Sequence, residues 1–137
     1  VDTAELTSDV GGTGTTAVDV LSLTTTAKTT TALVLINVAL FVHNTDTANA
    51  QNAWNYYNIV VDTNTISSGL LAGGTLLDPD RKHYQGKTIS TLCQGLTADT
   101  SYTFTFKIAG GSPYTEWGIN ASSAPDYYEC KMVILWL

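Results

Sequence analysis

The stretch Thr31–Asn44, TALVLINVALFVHN, constrains this chain more than any other. In an extended strand, side chains alternate between two faces. Leu33, Leu35, Ala39 and Phe41 then share one face; Val34, Ile36, Val38, Leu40 and Val42 share the other. Both faces are apolar, with Asn37 the single interruption. An antiparallel strand with one wet face alternates apolar with polar, so this strand is expected to be covered on both sides. The end of the chain, KMVILWL, repeats the pattern, with Met132, Ile134 and Trp136 on one face and Val133, Leu135 and Leu137 on the other. Left bare, such a strand is an aggregation hazard. The domain core supplies one cover, and a second copy of the chain is the simplest source of the other. The expected subunit contact therefore involves Val34, Ile36, Val38, Leu40, Val133, Leu135, Trp136 and Leu137.

The remainder reads as strands and turns. Thr is abundant, and Glu, a good helix former, occurs only at Glu5, Glu116 and Glu129. With 137 residues, 44% of them hydrophobic, the chain is sized for one domain with a real core. Strand candidates run over Thr15–Thr24, Thr31–Asn44, Trp54–Asp62, Lys87–Leu92, Ser101–Ile108, Tyr114–Ser122 and Tyr127–Leu137; Ile66–Leu77 reads as a short strand with a Gly-rich loop. Ser101–Ile108 alternates most clearly and places Tyr102, Phe104, Phe106 and Ile108 in the core. About eight short strands separated by turns predict an all-β, antiparallel β-sandwich, a jelly roll over residues 15–137. Residues 1–14 read as a flexible N-terminal arm, because Gly11-Gly12-Thr13-Gly14 breaks the chain there.

Several functions are disfavoured. The formal net charge is −6 and the longest basic run is Arg81-Lys82-His83, so nucleic acid is not an expected partner. No apolar run reaches the length of a membrane span. Cys93 and Cys130 are either free thiols or one disulfide, and two cysteines make no metal site. His43 and His83 are the two histidines. Asp46 lies near His43 in sequence, but no Gly-x-Ser-x-Gly elbow accompanies them. Asp46, Asp78 and Asp80 lack the spaced ligands of a calcium loop. No enzyme activity and no cofactor are expected. Trp54, Tyr114 and Trp117 are candidates for stacking on a sugar ring, although aromatic residues serve cores and interfaces equally well. Asn120-Ala121-Ser122 matches the glycosylation acceptor pattern.

The run Gly95-Leu96-Thr97-Ala98-Asp99-Thr100-Ser101-Tyr102-Thr103-Phe104, with Ile119-Asn120-Ala121-Ser122 and the hydrophobic end Met132–Leu137, resembles compact jelly-roll modules on viral fibres and head surfaces. It is also similar to the trimeric jelly roll of tumour necrosis factor and the complement globular head. Asp99 stands where a turn Gly is common in those modules, and no collagen-like or coiled-coil stalk is visible. The resemblance implies a non-enzymatic homotrimer on a virion surface, with the C-terminal strand near the three-fold axis. It implies a head-stabilising capsid decoration protein, of bacteriophage type, with the major capsid protein as partner, or a fibre head. The alternative is a carbohydrate-binding, lectin-like β-sandwich that takes a host-surface glycan.

Overall fold

The computed structural model describes residues 1–46, 52–75, 82–120 and 129–137. Ten strands follow in chain order: β1 (Asp2–Glu5), β2 (Val10–Thr13), β3 (Val18–Thr26), β4 (Thr31–Asn44), β5 (Asn52–Val61), β6 (Asn64–Thr75), β7 (His83–Gln94), β8 (Ser101–Gly110), β9 (Thr115–Ile119) and β10 (Cys130–Trp136). All pair antiparallel, in two sheets that face one another, and the described residues contain no helix. The chain is an all-β sandwich.

β4 organises the first sheet. β7 runs along one edge of it, from Thr31↔Gln94 to Val42↔His83. Two strands share the other edge end to end: β10 lies beside Ala32–Val38, and β9 beside Phe41–Asn44. β1 then pairs with β10, and β2 with β9. Both outer positions are thus interrupted at one level, near Ala39. There the Ala39 N–H donates to the Glu129 carbonyl at 2.8 Å, and the Leu6 N–H to the Cys130 carbonyl at 2.9 Å. Residues 1–14, expected as a flexible arm, contribute two edge strands instead. Their pairing partners are distant in sequence, which local glycine content cannot reveal. The second sheet has the order β3-β8-β5-β6.

The core lies between the sheets. Ala32, Val34, Ile36, Val38, Leu40 and Val42 of β4 are each 3% exposed or less. All but Val42 join Phe104, Phe106 and Ile108 of β8 and Ile59 and Val61 of β5 in one cluster, and Val42 packs with Ala53 in a second. This corrects the expected subunit contact. Val34, Ile36, Val38 and Leu40 cannot meet another copy, because the second sheet already covers them. Trp136 also turns inward, its ring centroid 6.3 Å from that of Phe104. The outward face of β4 is the odd-numbered one, on which Leu33, Leu35 and Ala39 are half-buried. Asn37 is exposed there, and its Oδ1 accepts a hydrogen bond from Thr88 Oγ1 at 2.8 Å.

β8 alternates as its sequence predicts, with Phe104, Phe106 and Ile108 buried and Tyr102 packed against the cluster. In β3 the regular alternation of strand side chains is broken locally. The register shifts between Asp19 and Leu21, and this bulge lets both Val20 and Leu21 face the core. Asp99 adopts φ 62°, so this turn position holds the left-handed conformation that few residues other than Gly, Asn and Asp take readily. Cys93 pairs opposite Ala32 and Cys130 opposite Val38, on opposite sides of β4. Six residues along a strand amount to ~20 Å, too far for a disulfide, and both thiols are free and buried.

Side chains close the margin between β6 and β7. Gln85 Oε1 accepts from the Gly73 N–H at 3.1 Å, and Gln85 Nε2 donates to the Gly73 carbonyl at 3.3 Å. Lys87 Nζ donates to the Leu70 carbonyl at 2.6 Å. These polar groups occupy the backbone of an edge strand that would otherwise be open to pairing.

Candidate functional site

The two outer faces of the sandwich differ in chemistry. On the first sheet, the register places Leu33 between Leu135 and Leu92, and Leu35 between Val133 and Ser90. Leu33, Leu35, Val133 and Leu135 are half-buried; Leu92 is 49% exposed and Leu137 62%. The next row of the same face is polar, with Glu5, Lys131, Asn37 and Thr88 side by side. On the second sheet the outer face carries hydroxyls along β3 and β8, while Tyr56 of β5 and Leu70 of β6 pair there as exposed apolar neighbours. Ser22 Oγ lies 3.1 Å from Thr105 Oγ1, and Thr24 Oγ1 2.8 Å from Thr103 Oγ1. Thr26 pairs opposite Ser101, and Lys107 Nζ meets Asp19 Oδ1 at 2.9 Å.

The first sheet also carries a depression at the opposite end of its outer face, where β2, β9 and β4 lie side by side. The register aligns Gly11, Gly118 and Phe41 in one row, and Thr13, Glu116 and His43 in another. A Cβ on Gly118 would fall 2.5 Å from Phe41 Cε1, so the Phe41 ring lies down over that glycine. Lys82 Nζ stands 4.1 Å from the Phe41 ring centroid, and Tyr84 meets the ring edge-on at 6.4 Å. The hollow holds about 340 Å³, and Asp9, Gly11, Thr13, Glu116 and Asn120 are among its lining residues.

His43 Nδ1 lies 2.9 Å from Glu116 Oε2. The sequence offered Asp46 as the neighbouring acid; the fold supplies Glu116, which is distant in sequence. Glu116 stands between Thr13 and His43 in the register. A catalytic triad places the imidazole between hydroxyl and acid, and this row places the acid in the middle. His83 faces inward opposite Val42, and its Nε2 is buried with no hydrogen-bond partner among the described residues. Among the described residues no three His, Cys, Asp or Glu side chains group as a metal site.

The candidate sugar-stacking residues are not brought together as one platform. Trp117 is 1% exposed and belongs to the core, so it cannot stack on a ligand ring. Trp54 is half-buried beside Gly111, while Tyr114 is 52% exposed in the turn before β9. Asp78 and Asp80, considered for calcium, and Ala121 and Ser122 of the acceptor pattern lie outside the described residues. Sequence reasoning missed Gly11, Gly118, Phe41 and Glu116 as a group. A glycine inside a strand marks close approach of another group, and Gly118 carried that signal. A scan against protein-family models finds no match, and a search of the curated proteins finds none either.

Proposed function

We propose that this chain is a non-enzymatic structural module of a virion surface. It assembles as a homotrimer and acts as a head-stabilising decoration protein on the major capsid protein, or as a fibre head. The observation that carries the reading is the contrast between the two outer faces. Hydroxyl-bearing side chains on β3 and β8 suit a surface left in water, and the apolar exposure of that face among the described residues is confined to the pair Tyr56 and Leu70. The leucine and valine ladder on the first sheet does not, since exposed apolar surface costs about 25 cal/mol per Å² and contiguous patches mark contacts.

A second copy is the occupant that fits. The ladder is bordered by the balanced pair Glu5 and Lys131 in a chain of net charge −6, so like copies can approach there without repulsion. On this reading the contact uses Leu33, Leu35, Val133, Leu135 and Leu137, the outward set. The strand order also supports a jelly roll. With β1 and β2 counted as one interrupted strand and β9 and β10 as another, the two sheets interleave eight strands as two four-strand layers. The carbohydrate reading built on Trp54, Tyr114 and Trp117 loses its centre, because Trp117 is a core residue.

Sedimentation velocity at micromolar concentration tests the assembly. The expected result is a trimer that Leu33→Asp or Leu135→Asp converts to a folded monomer, whereas Val34→Asp unfolds the chain. A wild-type monomer at that concentration sinks the reading. Co-sedimentation with empty capsids then separates a decoration protein from a fibre head.

A further inference from the structure

We infer that β7 is a docking edge for an extended segment of a partner protein. The segment lies antiparallel along residues 88–94 and sets one aliphatic side chain between the sheets, beside Cys93. β7 pairs with β4 and with no other described strand. The Ala39 N–H is bonded to Glu129 and the Thr31 carbonyl to Leu137, so the odd-numbered residues of β4 turn their backbone groups toward β10. The even-numbered ones turn toward β7, where Ala32, Val34 and Ile36 bond Cys93, Thr91 and Ile89. Thr88, Ser90, Leu92 and Gln94 therefore aim their N–H and C=O groups away from β4, where no described residue bonds them. Such a row is a template for strand addition. Over residues 88–94 it carries no charge, proline or bulge, the usual guards of an open edge. β6, across the margin, is guarded: the Gln85 and Lys87 side chains occupy its backbone at Gly73 and Leu70.

A pocket lies on the inward side of the same edge. Side chains directly opposed across a ladder share a face, so a residue added opposite Cys93 points inward as Cys93 does. There it meets a hollow of about 160 Å³ lined by Val61, Ile66, Cys93, Leu96 and Tyr102, with Asp62 among its polar lining residues. Val61, Cys93 and Leu96 are core residues, and Ile66 and Tyr102 pack against the same cluster. The Tyr102 hydroxyl accepts a hydrogen bond from the Thr97 N–H at 3.0 Å, which holds the ring in place. The walls are thus apolar and fixed, with room for one Leu or Met side chain. In strand addition the backbone bonds supply affinity, and pockets for alternate side chains supply specificity. Both halves of that arrangement meet at Cys93: the unpaired edge of β7, and a hollow walled by β5, β6 and β8.

The inference does not rest on the trimer, because the free backbone groups and the pocket lie on the β7 margin rather than on the outer face. Amide hydrogen exchange of the full chain, followed by NMR, tests it. The probe is acetyl-Lys-Leu-Val-Thr-Thr-Val-Thr-amide, titrated to about 1 mM, its Leu set opposite Cys93. Exchange at the Thr88, Ser90 and Leu92 amides is expected to slow by about tenfold or more. The Thr91 and Cys93 amides, already bonded to β4, keep their rates. The same peptide with Asp in place of Leu is expected to bind about tenfold more weakly or worse. Ser90→Pro should abolish the slowing and leave the circular dichroism of the sandwich unchanged, because the Ser90 N–H faces away from β4. The inference is overturned if the peptide slows none of these amides, or if the Asp peptide slows them equally. It is also overturned if they are slow without peptide and quicken on dilution, since a second copy then holds the edge.

Discussion

Asp2 and Trp136 stand 134 residues apart in the chain, and Trp136 Nε1–H donates to Asp2 Oδ2 at 2.6 Å. Thr25 Oγ1 donates to the same oxygen at 3.0 Å, and Lys28 Nζ lies 3.9 Å from the other. One carboxylate therefore joins β1, β10 and β3 along one margin of the sandwich. Lys28 is largely exposed and adds little; the indole and hydroxyl donors do most of the joining.

Removing this carboxylate should loosen the margin without dismantling the core. Asp2→Ala is expected to lower stability by about 1–2 kcal/mol, read as a fall in the urea midpoint with an unchanged slope. A midpoint equal to wild type would show that the clasp orients the strands without stabilising them.

The same carboxylate sets an acid limit. The Trp136 hydrogen bond holds the Asp2 carboxyl below its usual range; burial opposes this, and Thr25, Lys28 and the N-terminal amine assist. A depressed folded value means that the stabilisation is complete above the unfolded value, near 3.8, and is lost as pH falls through the lower folded one. Wild type should lose stability below about pH 4 more steeply than Asp2→Asn. Thermal melts from pH 6 to pH 2 would check it, and parallel curves would refute the assignment.

Gly118 and Phe41 should behave as one unit. A Cβ at position 118 would sit 2.5 Å and 2.7 Å from two Phe41 ring atoms, so Gly118→Ala is expected to cost about 1–3 kcal/mol. In the Phe41→Ala background the same change should cost far less, and the double-mutant cycle should give a coupling of at least 1 kcal/mol or so. Additive costs would mean that the ring moves aside freely.

The thiols should be silent at neutral pH. Burial pushes Cys130 up to about 12, with Glu129 adding to the effect, and burial raises Cys93. Ellman's reagent at pH 8 is expected to find no reactive thiol in the folded chain and two in denaturant. The folded state holds its Cys130 proton longer than the unfolded chain does, so stability is intact below pH 9 and declines between pH 9 and about 12. Rapid labelling of the native protein would show that the margins open more readily than the packing implies.

Much of the architecture could be read from particular residues. Thr31–Asn44 forms one strand with the expected bounds, because a run of β-branched and aliphatic residues interrupted only by Asn37 has no competing local structure. Tyr102, Phe104, Phe106 and Ile108 alternate inward because their neighbours are polar. The inward face of β4 was not legible for the opposite reason. Both of its faces are apolar, and only the strands that cover it decide between Val34 and Leu35. β1 and β2 escaped notice because four-residue strands, one of them holding Gly11 and Gly12, have little propensity of their own and exist through pairing with β10 and β9. The depression was least legible, since glycines build it by what they lack and Glu116 meets His43 only across the β9–β4 ladder.

The pairing of β1 with β10 has a further consequence. Asp2 lies opposite Ile134, so the chain enters and leaves the sandwich at one corner. A module with that layout can be spliced into a surface hairpin of a host protein with little distortion on either side. Its own ends can likewise be joined by a short linker and reopened elsewhere. Traction on the two ends would part β1 from β10 bond by bond, a peeling geometry, and would leave the β3-β8-β5-β6 sheet unloaded until the clasp at Asp2 had let go.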